Sequence, residues 1–292
     1  MHNKLDRIFF YILLPFIYAI GILPLPLLYL KSYFFSFVLQ YIIGYRKKVV
    51  YTNLKNAFPE KNEKEIKRIA RKYYLHLSDL IFETLKSFFI SKKQLNAHCN
   101  YDKPFVEYMK PNKSLIVMLS HLGNWEWANL YMSIHSPYKV VVVYKKISNR
   151  FFDDFLIKKR SRFGSVLVEM NHIAKYMLTH KNEKIFYVFL CDQTPLPKNA
   201  HWELFFNQET PFLRGAAVLA QKMNFSLLYG STEKNKRGHY SFYTKMMVDL
   251  PNSTDEKNIL HTFIENLESD IRKQPEIWLW SHKRWKHKKS SL

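Results

Sequence analysis

A histidine and a glutamate lie five residues apart in the stretch Ser114–Ala128. The apolar run Leu115–Leu119 comes just before the histidine and has the pattern of a short buried strand. Asn124 is a good N-cap for a helix that would carry Glu126 in its first turn. The spacing therefore places His121 at the carboxyl end of a strand, where chemistry collects in open α/β sheets. It predicts a general base, with the Glu126 carboxylate orienting the imidazole and raising its basicity.

The same residue types also have an ordinary structural interpretation. A polar N-cap followed by a glutamate is common where helices begin, because both groups interact favourably with the backbone N–H groups and the helix dipole. A histidine at a strand end is often only a hydrogen-bonded surface side chain. The spacing of His121 and Glu126 alone therefore leaves a catalytic and a structural role open.

Polar side chains suited to substrate binding occur at two other predicted element ends. Arg160 and Arg162 precede a predicted strand, where guanidinium groups suit phosphate or carboxylate, although they could equally be solvated at a helix end. Asp192 and Gln193 directly follow an apolar strand, at the same type of sheet edge as His121. An aspartate at that position also commonly caps a helix or forms a turn, so its role is open.

Composition excludes several classes of protein. The 292-residue chain is 47% hydrophobic and 16% aromatic, so it can bury a core as one large or two small domains and is not globally disordered. It lacks the glycine-rich motifs of nucleotide-binding loops, and its two cysteines, Cys99 and Cys191, lack metal-ligand spacing. Its formal net charge of +21 indicates nucleic acid, an anionic membrane surface, or an acidic protein or lipid as partner.

The N-terminus favours the membrane among these partners. The run Ile8–Leu30 carries no charge, and a second uncharged run covers Ser32–Tyr45. Pro24-Leu25-Pro26 should end a helix near Gly21. A helix from Ile8 to Gly21 would be about 21 Å long, which is short of a roughly 30 Å hydrocarbon core. A bent single span and an interfacial helical hairpin are both compatible with this pattern. The flanking basic run Arg46–Lys48 predicts that the chain after it is cytoplasmic.

The remaining chain alternates between apolar strands and amphipathic helices. Asn62–Ser91 has helical periodicity with one apolar and one basic face, and Ser91–Pro111 resembles a polar connection. From Leu115 onward, short apolar strands alternate with helices, which predicts an α/β fold with a mostly parallel central sheet flanked by helices. We therefore expect an N-terminal membrane anchor or interfacial hairpin over residues 1–45, followed by a cytoplasmic domain over residues 46–292.

Taken together, these segments resemble the lipid A biosynthesis late acyltransferases, the lauroyl/myristoyl transferase family of Gram-negative inner membranes. The resemblance covers most of the chain, including the N-terminal apolar segment. The matching motifs are Asn53–Glu60, the HLGNWE run over His121–Glu126, Arg160–Gly164, Asp192-Gln193 and Trp280–Trp285. Two positions depart from the family pattern: Ser120 precedes the histidine where glycine is frequent, and Thr194–Pro197 replaces a glycine-containing turn. These departures leave the exact substrate open.

The resemblance implies a membrane-associated acyltransferase that uses neither a metal nor a cofactor. His121 would deprotonate an acceptor hydroxyl of a lipid A precursor, and Glu126 would orient the imidazole. The hydroxyl would then attack the thioester of an acyl-carrier-protein or coenzyme A donor. Candidate oxyanion donors are Arg160 and the backbone N–H groups near Gly123 and Asn124. The positive charge would suit both acyl carrier protein and an anionic lipid acceptor.

Several alternatives stay open at this stage. Another lipid, such as a lysophospholipid, an amino-acid lipid or a glycolipid, could be the acceptor. Cys191 could act as a thiol nucleophile with His121 in a two-step transfer, although its place in an apolar strand favours an inert buried thiol. The chain could also be a non-catalytic membrane protein that has kept the fold. A nucleic-acid binder would explain the charge but not the uncharged N-terminal run, so no nucleic-acid partner is predicted.

Overall fold

The computed structural model describes residues 2–101, 105–108 and 113–289. The helices are α1 (His2–Ile22), α2 (Leu25–Phe37), α3 (Lys47–Ala57), α4 (Glu63–Ser87), α5 (Lys92–His98), α6 (Trp125–His135), α7 (Arg150–Arg160), α8 (Ile173–Thr179), α9 (Gly215–Met223) and α10 (Glu256–Lys273). The strands are β1 (Cys99–Tyr101), β2 (Leu115–Leu119), β3 (Lys139–Tyr144), β4 (Val166–Glu169), β5 (Ile185–Leu190), β6 (His201–Phe205), β7 (Gln208–Phe212), β8 (Ser226–Lys236) and β9 (His239–Val248).

Seven strands form one mostly parallel sheet in the order β1-β9-β8-β2-β5-β3-β4. All neighbours in this sheet are parallel except β8 and β9, which pair antiparallel. The central strands β2 and β5 are almost wholly buried, because helices cover both faces of the sheet, and this explains their continuous apolar sequences. The predicted α/β class with a mostly parallel sheet flanked by helices is confirmed.

The register of β2 and β5 determines which residues meet at the carboxyl edge of the sheet. Leu119, the last residue of β2, is paired with Leu190, the last residue of β5. The ladder extends by one further bond, from the Cys191 N–H to the Leu119 carbonyl oxygen at 2.8 Å. The residues two positions beyond each paired leucine therefore leave the sheet side by side.

Two segments differ from the sequence-based prediction. The supposed connection Ser91–Pro111 contains α5 and β1, and β1 pairs with β9 at the edge of the sheet; residues 102–104 and 109–111 lie outside the described residues. The predicted loop Cys191–Glu203 runs into an antiparallel hairpin of β6 and β7. Both misses concern elements of three to seven residues, which are too short to show a clear periodicity.

The two N-terminal helices are long and apolar enough to cross a membrane, over Lys4–Ile22 and Leu25–Ile42. Helix α1 ends just before Pro24, as the sequence predicts, but it continues through Pro15 and is 21 residues long. Helix α2 continues as a π-helical segment, Val38–Ile42. The first helix is therefore longer than the proline positions alone suggest.

Helix α4 is the longest of the described helices and lies between the N-terminal helices and α6. It begins with a capping box between Asn62 and Glu65. Its N-terminal half has the predicted apolar and basic faces. Its C-terminal half also buries charged and polar side chains, most notably Asp79 and Glu83, which are both 0% exposed. Buried carboxylates need hydrogen-bond donors around them, and these donors come from elements on both sides of α4.

Candidate active site

The carboxyl edge of β2 and β5 brings a histidine and an aspartate into direct contact. His121 follows β2 by two residues and Asp192 follows β5 by two residues, so the strand register places them side by side. The Nδ1 atom of His121 lies 2.6 Å from Oδ1 of Asp192, and the His121 backbone N–H donates to Oδ2 at 2.9 Å. Both residues are buried. Asp192 thus holds both the imidazole and the backbone of His121.

Asp192 is kept ionised by its surroundings. Burial would raise the pKa of its carboxyl, but the charge of His121, the two hydrogen bonds from His121 and the Trp278 Nε1–H bond lower it to about 2. An ionised Asp192 can only accept hydrogen bonds, so it assigns the His121 proton to Nδ1. The Nε2 atom then carries the lone pair, which is the form that a general base requires.

The free ring nitrogen of His121 faces a polar neighbour at the edge of the site. The Gln193 side-chain nitrogen lies 3.2 Å from Nε2 of His121, within reach to donate a hydrogen bond to it. The Trp125 ring packs edge-on against the imidazole at a centroid distance of 4.8 Å. The imidazole is therefore fixed by Asp192 on one side and Trp125 on a face, with Nε2 next to an amide group.

Glu126 lies in the first turn of α6, as predicted, but its partner is Arg160. Its two carboxylate oxygens accept hydrogen bonds from Nε and Nη2 of Arg160, at 2.9 and 2.5 Å. Burial alone would lower the pKa of the Arg160 guanidinium, and Glu126 raises it above its ordinary value, so the guanidinium stays charged. The sequence predicts a contact between Glu126 and His121, but the structure shows Asp192 at Nδ1 of His121 instead. A catalytic role for Glu126 stays a prediction.

Of the two predicted arginines, only Arg160 joins this group. Its side chain is 28% exposed, and its Nη1 atom makes no hydrogen bond within the described part of the chain, so this nitrogen can serve a ligand. Arg162 instead donates to the carbonyl oxygen of Ser87, the last residue of α4, at 2.8 Å, and its guanidinium lies over the Phe163 ring. The contacts of Arg162 explain a structural role in joining α7 to α4.

Asn124 caps α6 and is itself held by Glu83 of α4. The Asn124 side-chain oxygen accepts from the Trp127 N–H, while its side-chain nitrogen donates to Oε2 of Glu83 at 2.8 Å. Glu83 also accepts from the hydroxyls of Tyr240 and Tyr29, each at 2.8 Å, and its backbone carbonyl accepts from the Trp127 indole. Asn124 is fully buried, so its position fits a structural support of the loop that carries His121.

The segment after α10 closes over the loop that follows β2. The Gly123 N–H donates to the Ile277 carbonyl at 2.9 Å, and Leu122 forms an isolated antiparallel bridge with Trp278. Gly123 has a φ of +65°, and a Cβ atom there would lie 2.5 Å from Thr232, so both conformation and space require glycine. The chain near the C-terminus thereby fixes the turn that ends at Asn124.

His282 and Arg284 contact the same side of the site through Thr194. The Thr194 N–H donates to Nε2 of His282 at 3.2 Å, and the Thr194 hydroxyl donates to the Arg284 carbonyl. Burial is the main reason that the pKa of His282 is lowered to about 4; Asp192 opposes this shift, and Arg284, His121 and Lys286 add to it. His282 is therefore neutral and accepts a hydrogen bond at physiological pH. Among the described residues, no group of three or more His, Cys, Asp or Glu side chains is placed to hold a metal ion.

The chain matches the family of bacterial lipid A biosynthesis acyltransferases over residues 2–287. The chain belongs to this family. It is therefore an acyltransferase of lipid A biosynthesis, and the family together with the two apolar helices suggests association with a membrane. A search of curated proteins found no match.

Glu83 gives a first testable prediction. The Glu83→Ala variant leaves the hydroxyls of Tyr29 and Tyr240 and the amide of Asn124 without their acceptor, so it should lower the free energy of unfolding by about 3 kcal/mol. Urea unfolding in detergent measures this change. The matched control is Glu60→Ala, since the Glu60 side chain is 56% exposed and should cost under about 0.5 kcal/mol. Equal losses in the two variants would contradict the proposed support of Asn124 by Glu83.

His282 gives a prediction for pH dependence. In the unfolded chain its imidazole titrates near 6.5, and in the folded chain near 4, so the unfolded state binds more protons between these values. The contribution to stability is complete above pH 6.5 and is lost as pH falls through 4. The His282→Gln variant keeps an acceptor for Thr194 but cannot titrate, so its stability should fall less between pH 6.5 and 4. His172→Gln, at a side chain that is 72% exposed, should behave as wild type in urea unfolding across this range. The same dependence of the free energy of unfolding on pH in His282→Gln and in wild type would contradict a lowered pKa of His282.

Proposed function

We propose that this chain transfers a fatty acyl group from an acyl-carrier-protein thioester to a hydroxyl of a lipid A precursor, with His121 as general base. The observation that carries the proposal is the buried His121–Asp192 pair, which assigns the proton of His121 to Nδ1 and the lone pair to Nε2, beside the Gln193 amide. The transfer is direct, without an acyl-enzyme intermediate. Cys191 is buried, its pKa is raised by burial, and its sulfur faces the Phe189 carbonyl, which disfavours a thiolate nucleophile.

The proposed reaction begins when the acceptor hydroxyl occupies the position beside Nε2 of His121. Nε2 takes the hydroxyl proton while the oxygen attacks the thioester carbonyl carbon, and the ionised Asp192 stabilises the resulting imidazolium. The tetrahedral intermediate then collapses with cleavage of the carbon–sulfur bond. The departing thiolate takes the proton back from His121, which restores the neutral imidazole and releases the carrier thiol.

The negative oxygen that develops in this reaction needs hydrogen-bond donors. The Gly123 N–H, one of the donors suggested by the sequence, already bonds the Ile277 carbonyl, so it is less suitable. The Nη1 group of Arg160 and the side-chain amide of Gln193 are the better candidates, because each has a donor that can point to a ligand. Glu126 would act by holding Arg160 in place through two hydrogen bonds.

A cavity of about 460 Å³ next to His282 is a suitable site for the acyl chain of the donor. Its apolar lining residues come from the π-helical segment, from α4 and from the C-terminal segment: Leu39, Leu77, Ile81 and Leu279. Arg46 and His282 are polar residues that also line the cavity. His282 contacts Thr194, which is two residues past Asp192. We propose that the thioester lies near His121 while its hydrocarbon extends into this cavity.

The charge and the family support the choice of partners and location. Acyl carrier protein is acidic and a lipid A precursor is anionic, so both complement a chain with a net charge of +21. We propose the inner membrane as the location, with the catalytic part on the cytoplasmic face. Coenzyme A thioesters as donors, and other hydroxyl-bearing lipids as acceptors, are the alternatives that an assay must include.

The catalytic prediction compares three carboxyl and histidine variants in an acyl-transfer assay. His121→Ala and Asp192→Asn should each reduce transfer by roughly 10²–10⁴-fold, because the first removes the base and the second removes the group that sets its tautomer. Glu126→Gln should also reduce transfer by weakening the hold on Arg160. Asp154→Asn is the matched control, since the Asp154 side chain is 66% exposed on α7 and should have no effect.

The assay should present acyl-carrier-protein and coenzyme A donors with a lipid A precursor, a lysophospholipid, an amino-acid lipid and a glycolipid in parallel. Transfer to the lipid A precursor alone, dependent on His121 and Asp192, supports the proposal. Wild-type rates for Asp192→Asn would refute the role of the pair. Preference for another acceptor would refute the proposed substrate while leaving the general-base chemistry intact.

The proposed chain site predicts a change in donor preference. Ile81→Trp would fill part of the cavity, so the ratio of rates with long-chain and short-chain donors should fall. Ile147→Trp is the matched control, because Ile147 is 37% exposed against 38% for Ile81 and does not line the cavity. Thermal unfolding in detergent checks that both variants fold. An unchanged chain-length profile in Ile81→Trp would place the acyl chain elsewhere.

A further inference from the structure

Helix α2 is fastened along its whole length to α4. Near its N-terminus, the Tyr29 hydroxyl donates to Glu83 at 2.8 Å, and one turn later the Ser32 hydroxyl donates to Asp79 at 2.6 Å. Beyond its C-terminus, the Tyr74 hydroxyl of α4 donates to the Tyr45 carbonyl at 2.8 Å. The contacts advance along α2 as they retreat along α4, so the two helices lie antiparallel side by side.

Helix α1 is also attached at both ends. Near its start, Asn149 donates to the Asp6 carbonyl, and Phe10 packs against the aromatic rings at the start of α7. At its end, Tyr18 packs edge-on against Phe89, and Lys86 of α4 donates to the carbonyls of Ile22 and Leu23. The helix therefore lies across the catalytic part of the chain rather than leading away from it.

The side of α2 that faces α4 is polar and connected to charged groups. Ser32 is 0% exposed and Ser36 is 8% exposed. The neighbouring Asp79 forms a bidentate ion pair with Arg237, whose Nη2 also donates to the Tyr29 carbonyl. If α2 crossed the bilayer, this charged network would have to enter the hydrocarbon with it, and the loss of hydration makes this unfavourable for each charge.

The opposite side of the two helices is apolar and exposed. On α2 and its π-helical extension, the exposed residues recur every three or four positions and so form one continuous stripe: Leu27, Leu30, Phe34, Phe37 and Tyr41. On α1, an equivalent group consists of Leu5, Ile8, Phe9, Ile12 and Phe16. Aromatic and aliphatic side chains exposed at this density are characteristic of a surface that binds a membrane.

Cations border this apolar surface. Lys4 and Arg7 lie at the start of α1, Lys31 lies beside the α2 stripe, and the exposed run Arg46–Lys48 follows the π-helical segment. Lysine and arginine side chains at the edge of an inserted apolar face can reach the phosphates of an anionic leaflet. The combination of an apolar stripe and a basic border is complementary to one leaflet of an anionic bilayer.

We propose that α1 and α2 do not span the membrane but lie along its surface, with the exposed stripe inserted into the cytoplasmic leaflet. Because the inserted helices are packed on α4, and Glu83 of α4 holds Asn124, the catalytic site lies close to the lipid surface. The acceptor lipid reaches His121 from the leaflet without passing through bulk water. This inference uses the membrane association of the proposed function but not its chemistry, so each can fail separately.

Cysteine labelling of the full chain tests this topology. Single-cysteine variants are Lys31→Cys and Pro26→Cys on α2, Lys48→Cys after it, and Phe34→Cys in the stripe. The native Cys99 and Cys191 are 4% and 3% exposed, so they should react little, and the unmodified chain measures the background labelling. Inverted and right-side-out membrane vesicles from expressing cells are treated with a membrane-impermeant maleimide, before and after detergent is added.

A surface orientation predicts that Lys31→Cys, Pro26→Cys and Lys48→Cys are labelled only in inverted vesicles, from the cytoplasmic side. Phe34→Cys should not be labelled in intact vesicles of either kind, and it should be labelled once detergent is added. Labelling of Pro26→Cys in right-side-out vesicles, with Lys48→Cys labelled in inverted vesicles, would show a spanning hairpin and overturn the proposal. Ready labelling of Phe34→Cys in intact vesicles would show that the stripe is not in lipid and would also overturn it.

Discussion

The pairing of β2 with β5 is the constraint on which the candidate active site depends. Because Leu119 and Leu190 are in register, His121 and Asp192 leave the sheet at the same level and form a buried 2.6 Å contact. That contact keeps Asp192 ionised and assigns the proton of His121 to Nδ1. A shift of one residue in this register would turn one of the two side chains to the other face of the sheet and would remove the proposed base.

Helix α4 connects the apolar N-terminal helices to the loop that carries His121 and Asn124. Its buried Asp79 binds Ser32 of α2, and its buried Glu83 binds both Tyr29 of α2 and Asn124 of the loop. A division into a membrane anchor over residues 1–45 and a catalytic domain over 46–292 therefore cuts through a shared polar network. We expect the two parts to behave as one folding unit, because without α2 the buried Asp79 would lose the Ser32 donor and the buried Glu83 would lose the Tyr29 donor.

Sequence patterns predict the individual elements well but not their neighbours. The apolar runs before His121 and Asp192 identify both strands and place both residues at strand ends, yet strand order depends on contacts distant in sequence. The partner of Glu126 was missed for a similar reason, since helical periodicity puts it in the first turn of α6 without showing that Arg160 of α7 faces it. The burial of Asp79 and Glu83 had no signal of this kind, because Asp79 lies two helical turns after Lys72, on the basic side of the predicted amphipathic helix.

The tautomer of His121 is the most direct measure of whether Asp192 prepares His121 to act as a general base. Nitrogen-15 NMR of the full chain in detergent, with labelled histidine and His121→Gln to assign the signal, distinguishes a proton on Nδ1 from one on Nε2. We expect the Nδ1–H form in wild type and loss of that preference in Asp192→Asn. An Nε2–H form in wild type would show that Asp192 does not receive the Nδ1 proton, and it would contradict the proposed general base.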